Sequence, residues 1–146
     1  HPDNTIPKWF LETLGVWVSS LNNCAYCVDH HFAGLKRLLA DDHKANAIKT
    51  AIDARDISAA PLDQKQKLAM HYAEILSQSP SDTSETMVAN LRAAGFDDGE
   101  ILEINQVSAY FCYANRTVLG LGCSTAGDII GLSPNNSDDP DDWSHR

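Results

Sequence analysis

Between Ile6 and Leu21 the apolar residues Trp9, Phe10, Leu14, Trp17, Val18 and Leu21 recur at intervals of three and four. That period puts them on one side of a helix and predicts a buried stripe. Pro7 suits the first turn, where its missing N–H leaves nothing unpaired. Asn22–Asn23 then interrupts the pattern, because asparagine tolerates the left-handed backbone that ends one helix and also caps the next. A second helix is predicted from about Cys24 to Leu39, and "KANAIKTAIDARDI" is a weaker third amphipathic stretch. "SAAPLDQKQKLAMHYAEILSQ" carries Ser58 and Pro61 as start signals, with Leu68, Tyr72, Ile75 and Leu76 on one face. "SDTSETMVANLRAAGF" offers Ser81 or Thr83 as a cap and Gly95 as a stop, and "DDGEILEINQVSAYFCYANRTVLGLG" reads as one or two buried helices. No segment alternates as a strand does. The prediction is an all-α chain of six or seven helices, with one domain over residues 1–132 and an acidic tail over 133–146.

Composition narrows the classes. A chain of 146 residues can enclose one sizeable core. Its net charge of −9 comes without a Lys/Arg cluster, which speaks against nucleic acid and anionic membrane surfaces as partners. No apolar run approaches the ~20 residues that cross a bilayer, and no basic-then-apolar leader is present in the sequence. The tail holds four Asp around Pro140 and reads as solvated, with Trp143 as its one large aromatic. One tight cysteine pair, Cys24 and Cys27, plus the scattered Cys112 and Cys123, suits a reducing compartment, so a cytoplasmic location is expected.

The chemistry concentrates in "NNCAYCVDHH", residues 22–31. On a helix starting at the asparagines, Cys24 and Cys27 share a face, and Cys27 and His31 lie one turn apart. Near a helix N-terminus, free N–H groups and the dipole favour a thiolate, so a lowered thiol pKa is expected. Glu12 precedes the break by about ten residues and His31 follows it by about eight; at ~1.5 Å per residue they differ by only ~3 Å in height. Two placements of Glu12 stay open: facing His31, as part of a proton path from Cys27, or on a solvated flank. Cys24, Cys27 and His31 could also hold zinc, given a fourth ligand from Glu12, His30 or a distant cysteine.

"LETLGVWVSSLNNCAYCVDHHFAGL" resembles the alkyl hydroperoxidase D (AhpD)-like core of the carboxymuconolactone decarboxylase family, in its peroxidase-related branch. The pattern is Glu12, Ser19, Asn22, Cys24, Cys27 and His31, and the later Asn115–Arg116 step is similar as well. The resemblance implies an all-helical fold assembled as trimers or larger rings such as hexamers. It implies a thiol peroxidase that needs no haem, flavin or metal cofactor, with Cys27 attacking peroxide, Cys24 resolving, and Glu12 and His31 relaying protons. An external dithiol, of thioredoxin or lipoyl type, would then reduce the pair. The chain departs from better-known members at Tyr26, where they carry a second histidine. The alternatives from other classes are a thiol–disulfide exchange protein that never meets peroxide, and a helical module with a structural zinc. Elsewhere His30 is expected at the surface or an interface, with His43 and His71 on helix flanks. Cys112 is expected to be buried and Cys123 exposed. Tyr110 and Tyr113 are expected to pack, Arg116 to balance a carboxylate, and the Asp41–Asp42 and Asp97–Asp98 pairs to cap helices.

Overall fold

The break at Asn22–Asn23 decides the architecture. In the computed structural model, which describes residues 5–131, Asn23 adopts φ 55° and the chain closes a paired-hydrogen-bond turn. Cys24 N donates to the Ser19 carbonyl at 2.9 Å and Asn23 N to the Ser20 carbonyl at 3.0 Å, which satisfies the last carbonyls of the first helix. The second helix therefore folds back along the first. The described residues form six α-helices: α1 (Lys8–Leu21), α2 (Ala25–Leu39), α3 (Asp42–Asp53), α4 (Gln64–Gln78), α5 (Glu85–Ala93) and α6 (Asp98–Gly120). Short 3₁₀ turns follow α3 (Ile57–Ala59) and α4 (Pro80–Asp82), and no strand occurs among the described residues. The final apolar stretch is thus one long helix. The acidic tail and Trp143 lie outside the described residues.

Helix α1 is the central element, packed on α2, α3, α4 and α6. Its stripe is buried as the periodicity requires: Phe10, Leu14, Trp17 and Val18 are closed off from solvent, while Trp9 packs at the margin. Trp17 also carries a polar atom into the core, and its indole Nε1 donates to the Met70 carbonyl at 3.0 Å. Helix α6 runs parallel to α1. Glu103 near its start accepts from the backbone nitrogens of Thr5 and Ile6 at 2.9 and 3.1 Å, and Asn115 further along bonds Ser19. Both Asn115 and Ser19 are fully buried, and each satisfies the other at 3.0–3.1 Å.

Several caps fall where the sequence placed them. Asp41 accepts from Lys44 N, Asp97 forms a capping box with Glu100, and Gly95 ends α5 at φ 97°. Two differ. Helix α4 starts at Gln64 under a capping box of Asp63 with Gln66, because Ser58 and Pro61 are taken up by the preceding 3₁₀ turn and its exit. Helix α5 is capped by Ser84, since Ser81 lies within a 3₁₀ turn and the Thr83 hydroxyl is bonded to the Pro80 carbonyl.

Gly15 allows α1 and α6 to meet closely: a Cβ there would overlap the Phe111 ring. Gly15→Ala should therefore destabilise the chain by ~1–3 kcal/mol, the usual cost of overpacking, despite alanine's better helix propensity. Denaturant unfolding followed by circular dichroism measures this, and unchanged or raised stability would contradict the close contact.

Candidate functional site

Cys24 is the N-cap of α2 and Cys27 lies in its first turn. Both thiols are free and buried, Cys24 at 0% exposure and Cys27 at 4%. They are near neighbours, and Cys24 acts on the ionisation of Cys27. Their three-residue spacing at a helix start gives a separation within reach of a disulfide.

One turn further along α2, the His31 Nδ1 lies 2.7 Å from the Glu12 Oε2. Of the two placements open for Glu12, the structure adopts the inward one: the carboxylate is only 11% exposed, in the seam between α1 and α2. A buried carboxylate needs a partner, and His31 supplies it. With Nδ1–H directed at the carboxylate, the hydrogen-bond network assigns the lone pair of a neutral His31 to Nε2. The ring is held on its other side by Phe111, edge-on at 4.5 Å.

Sequence reasoning passed over Gly34. A Cβ there would come within 3.3 Å of the Glu12 carboxyl carbon and Oε2, so this glycine makes room for the carboxylate. The signal was present: a glycine inside a helix costs ~1 kcal/mol against alanine and often marks a close approach.

The environment of Cys27 reverses one expectation. Its thiol is pushed up from the ordinary 9.0 to about 12, first by burial, then by the hydrogen bond and charge of Cys24, then by Cys123. Removing a thiolate from water outweighs the favourable helix terminus, because the dipole contributes little next to desolvation of a buried charge. Cys24, as N-cap, accepts no side-chain hydrogen bond from the helix terminus.

Four other expectations change. His30 is 7% exposed rather than a surface residue, because the segment after α6 returns across it: the Asp128 Oδ2 lies 3.3 Å from Nε2, and Gly131 N donates to Nδ1 at 3.4 Å. Tyr26 lies against His30 with ring centroids 4.6 Å apart, and the Asp128 carboxylate near its hydroxyl raises the Tyr26 pKa, helped by partial burial and the thiols of Cys123 and Cys27. Tyr110 and Tyr113 do not pack; they are 58% and 69% exposed on α6. Arg116 donates to the Cys112 carbonyl at 2.7 Å. Cys112 is half-buried and accepts from Asn22 Nδ2 at 3.9 Å, while Cys123 is exposed as expected. Among the described residues, no group of three or more His, Cys, Asp and Glu side chains is arranged to hold a metal ion. No helix among them is long and apolar enough to cross a membrane.

No protein-family model matches the sequence, and no curated protein matches it. Solved structures do. An uncharacterized peroxidase-related protein of Silicibacter sp. TM1040 matches with a TM-score of 0.75 and 27% identity over 84% of this chain and 61% of that one. An uncharacterized peroxidase-related protein of Ralstonia eutropha JMP134, described as an alkylhydroperoxidase AhpD core, matches with a TM-score of 0.72 and 24% identity over 93% of this chain and 64% of that one. The chain thus spans about three-fifths of the length of the proteins it matches. The fold is AhpD-like.

The raised Cys27 pKa carries a stability consequence. Above pH 9 the unfolded chain releases this proton while the folded chain retains it, so folding stability should fall as pH rises from 9 toward 12. The full difference amounts to ~4 kcal/mol at ~1.4 kcal/mol per pKa unit. Thiolate absorbance at 240 nm, in wild type and Cys27→Ser, should reveal one thiol titrating above the normal range. A Cys27 that titrates at or below the ordinary thiol value would refute the burial effect.

Proposed function

We propose that this AhpD-like chain is a cysteine-based peroxidase that reduces organic hydroperoxides or hydrogen peroxide through Cys24 and Cys27. The observation that carries this reading is the Glu12–His31 pair at 2.7 Å, one helical turn above two buried neighbouring thiols. The peroxidase-related names of the structural neighbours agree with it.

A thiol raised to about 12 is almost wholly protonated at neutral pH, so it needs a base at the moment of attack. Glu12 holds His31 by Nδ1, leaving Nε2 to take the Cys27 proton, directly or through water. The Cys27 thiolate attacks the terminal peroxide oxygen, the O–O bond breaks, and His31 returns the proton to the leaving alkoxide. Alcohol departs and Cys27 is left as a sulfenic acid. The Cys24 thiol condenses with it, forming the Cys24–Cys27 disulfide and releasing water. An external dithiol then supplies two electrons and two protons to restore both thiols. The site needs no metal or organic cofactor for these steps. A second reading, thiol–disulfide exchange without peroxide, uses the same residues, and the burial of both thiols weighs against it, since exchange needs an accessible thiolate.

The assembly we propose is a homo-oligomer, a trimer or hexamer, in the cytoplasm. Leu102, Tyr110 and Tyr113 are exposed on one side of α6, which a second copy would cover. Light scattering of wild type should give a mass of several chains, and Tyr113→Glu should lower it. A wild-type mass of one chain would rule out the oligomer.

Reduced protein treated with one equivalent of cumene hydroperoxide should lose two thiols and two daltons, mapped to Cys24–Cys27. Glu12→Gln and His31→Gln should slow this by ~100-fold, the scale of a lost proton relay. Oxidation no faster than that of a free thiol would remove the peroxidase reading and leave disulfide exchange.

A further inference from the structure

Three helices meet at His31. Helix α1 brings Glu12, whose Oε2 lies 2.7 Å from His31 Nδ1. Helix α6 brings Phe111, whose ring centroid lies 4.5 Å from that of the imidazole, with the two planes at 88°. Phe111 is itself fixed. It is 6% exposed, and its ring fills the gap left by Gly15, where a Cβ would overlap Cζ and Cε2. Gly15 stands three positions after Glu12, so the two are neighbours on one side of α1. The carboxylate and the gap therefore serve the same imidazole.

The two contacts restrain different motions. A hydrogen bond to Nδ1 fixes one atom of the ring and leaves its plane free to tilt about the N–O line. A perpendicular aromatic neighbour is a preferred arrangement and resists that tilt. The restraint matters because the His31 side chain is 33% exposed, which leaves room for the ring to swing. On a helix a long side chain leans back toward the N-terminus, so the imidazole lies over the turn that carries Cys27. The plane of the ring then decides where the Nε2 lone pair points over that turn.

We propose that Phe111 is a positioning residue that sets the plane of the His31 imidazole, so that Nε2 addresses Cys27 while Nδ1 stays on Glu12. The inference deepens the peroxidase reading and rests on it. Phe111 acts through His31 and not on the reacting atoms. The spacing of α1 and α6 thereby enters the chemistry, because the depth to which the Phe111 ring reaches is set at Gly15.

Two single variants test this: Phe111→Leu removes the ring, and Gly15→Ala displaces it. Circular dichroism checks that each folds, and should either fail, the double variant below carries the test. In reduced wild type the imidazole nitrogen shifts of His31, identified by their loss in His31→Gln, should show the Nδ1–H tautomer; in both variants the two nitrogens should move toward averaged values. Oxidation by one equivalent of cumene hydroperoxide should slow ~10-fold in each, a misplaced base costing less than the ~100-fold of a lost one. In the double variant Gly15→Ala/Phe111→Leu, the added methyl occupies space that the ring gave up. Resistance to denaturant should therefore recover relative to Gly15→Ala, while the nitrogen shifts and the rate should not. Recovery of all three together would make Phe111 a packing residue and overturn the proposal, as would wild-type shifts in Phe111→Leu. The shifts are read without peroxide. A chain that shows them as expected yet consumes no peroxide would sink the peroxidase reading alone, and an unchanged rate of peroxide consumption in Phe111→Leu would sink this inference alone.

Discussion

A carboxylate enclosed between two helices must be partnered, and the site depends on how Glu12 is. It stands in the seam of α1 against α2, 11% exposed, with His31 Nδ1 at 2.7 Å. An unpaired charge there would cost several kcal/mol or drive the group to its neutral form. The pairing needs three things from the backbone. Asn23 must turn left-handed so that α2 returns along α1, Gly34 must leave space beside the carboxylate, and Gly15 must let Phe111 close on the far side of the imidazole. Each is a local choice that costs helix propensity or strains a turn, and each serves the same contact. Ser19 joins them, since its carbonyl holds the Cys24 backbone while its hydroxyl is locked to Asn115.

The thiols are placed by the same turn but governed by a different force. A helix N-terminus alone would lower a thiol pKa, whereas Cys27 is pushed up to about 12 because the body of the protein has taken it out of water. On the peroxidase reading proposed above, the pair is quiet at rest and its reactivity would depend on a base delivered by the Glu12–His31 unit. Burial limits access to both thiols from solvent.

The helices and the acid–base–thiol constellation were legible because they rest on short-range rules. The three-four spacing from Trp9 to Leu21 marked the core face of α1, and the Asn22–Asn23 break with the residue counts on either side brought Glu12 to the height of His31. His30 and the two tyrosines of α6 were not legible in this way. Whether His30 is buried depends on Asp128 and Gly131, about a hundred positions along the chain, and no periodicity reaches that far. Tyr110 and Tyr113 sit in an apolar run that reads as core, yet the packed face of α6 is the one bearing Ile104, Phe111 and Asn115.

The sequence by itself therefore determined the all-helical class, the break at Asn22–Asn23, and the Cys24–Cys27–His31 row, since helical geometry converts spacing into position. Only the tertiary structure decided that Glu12 points inward, that Cys27 is desolvated enough to hold its proton, and that the segment around Asp128 covers Tyr26 and His30. Those outcomes depend on which surfaces meet, and the meeting surfaces come from parts of the chain far apart in sequence.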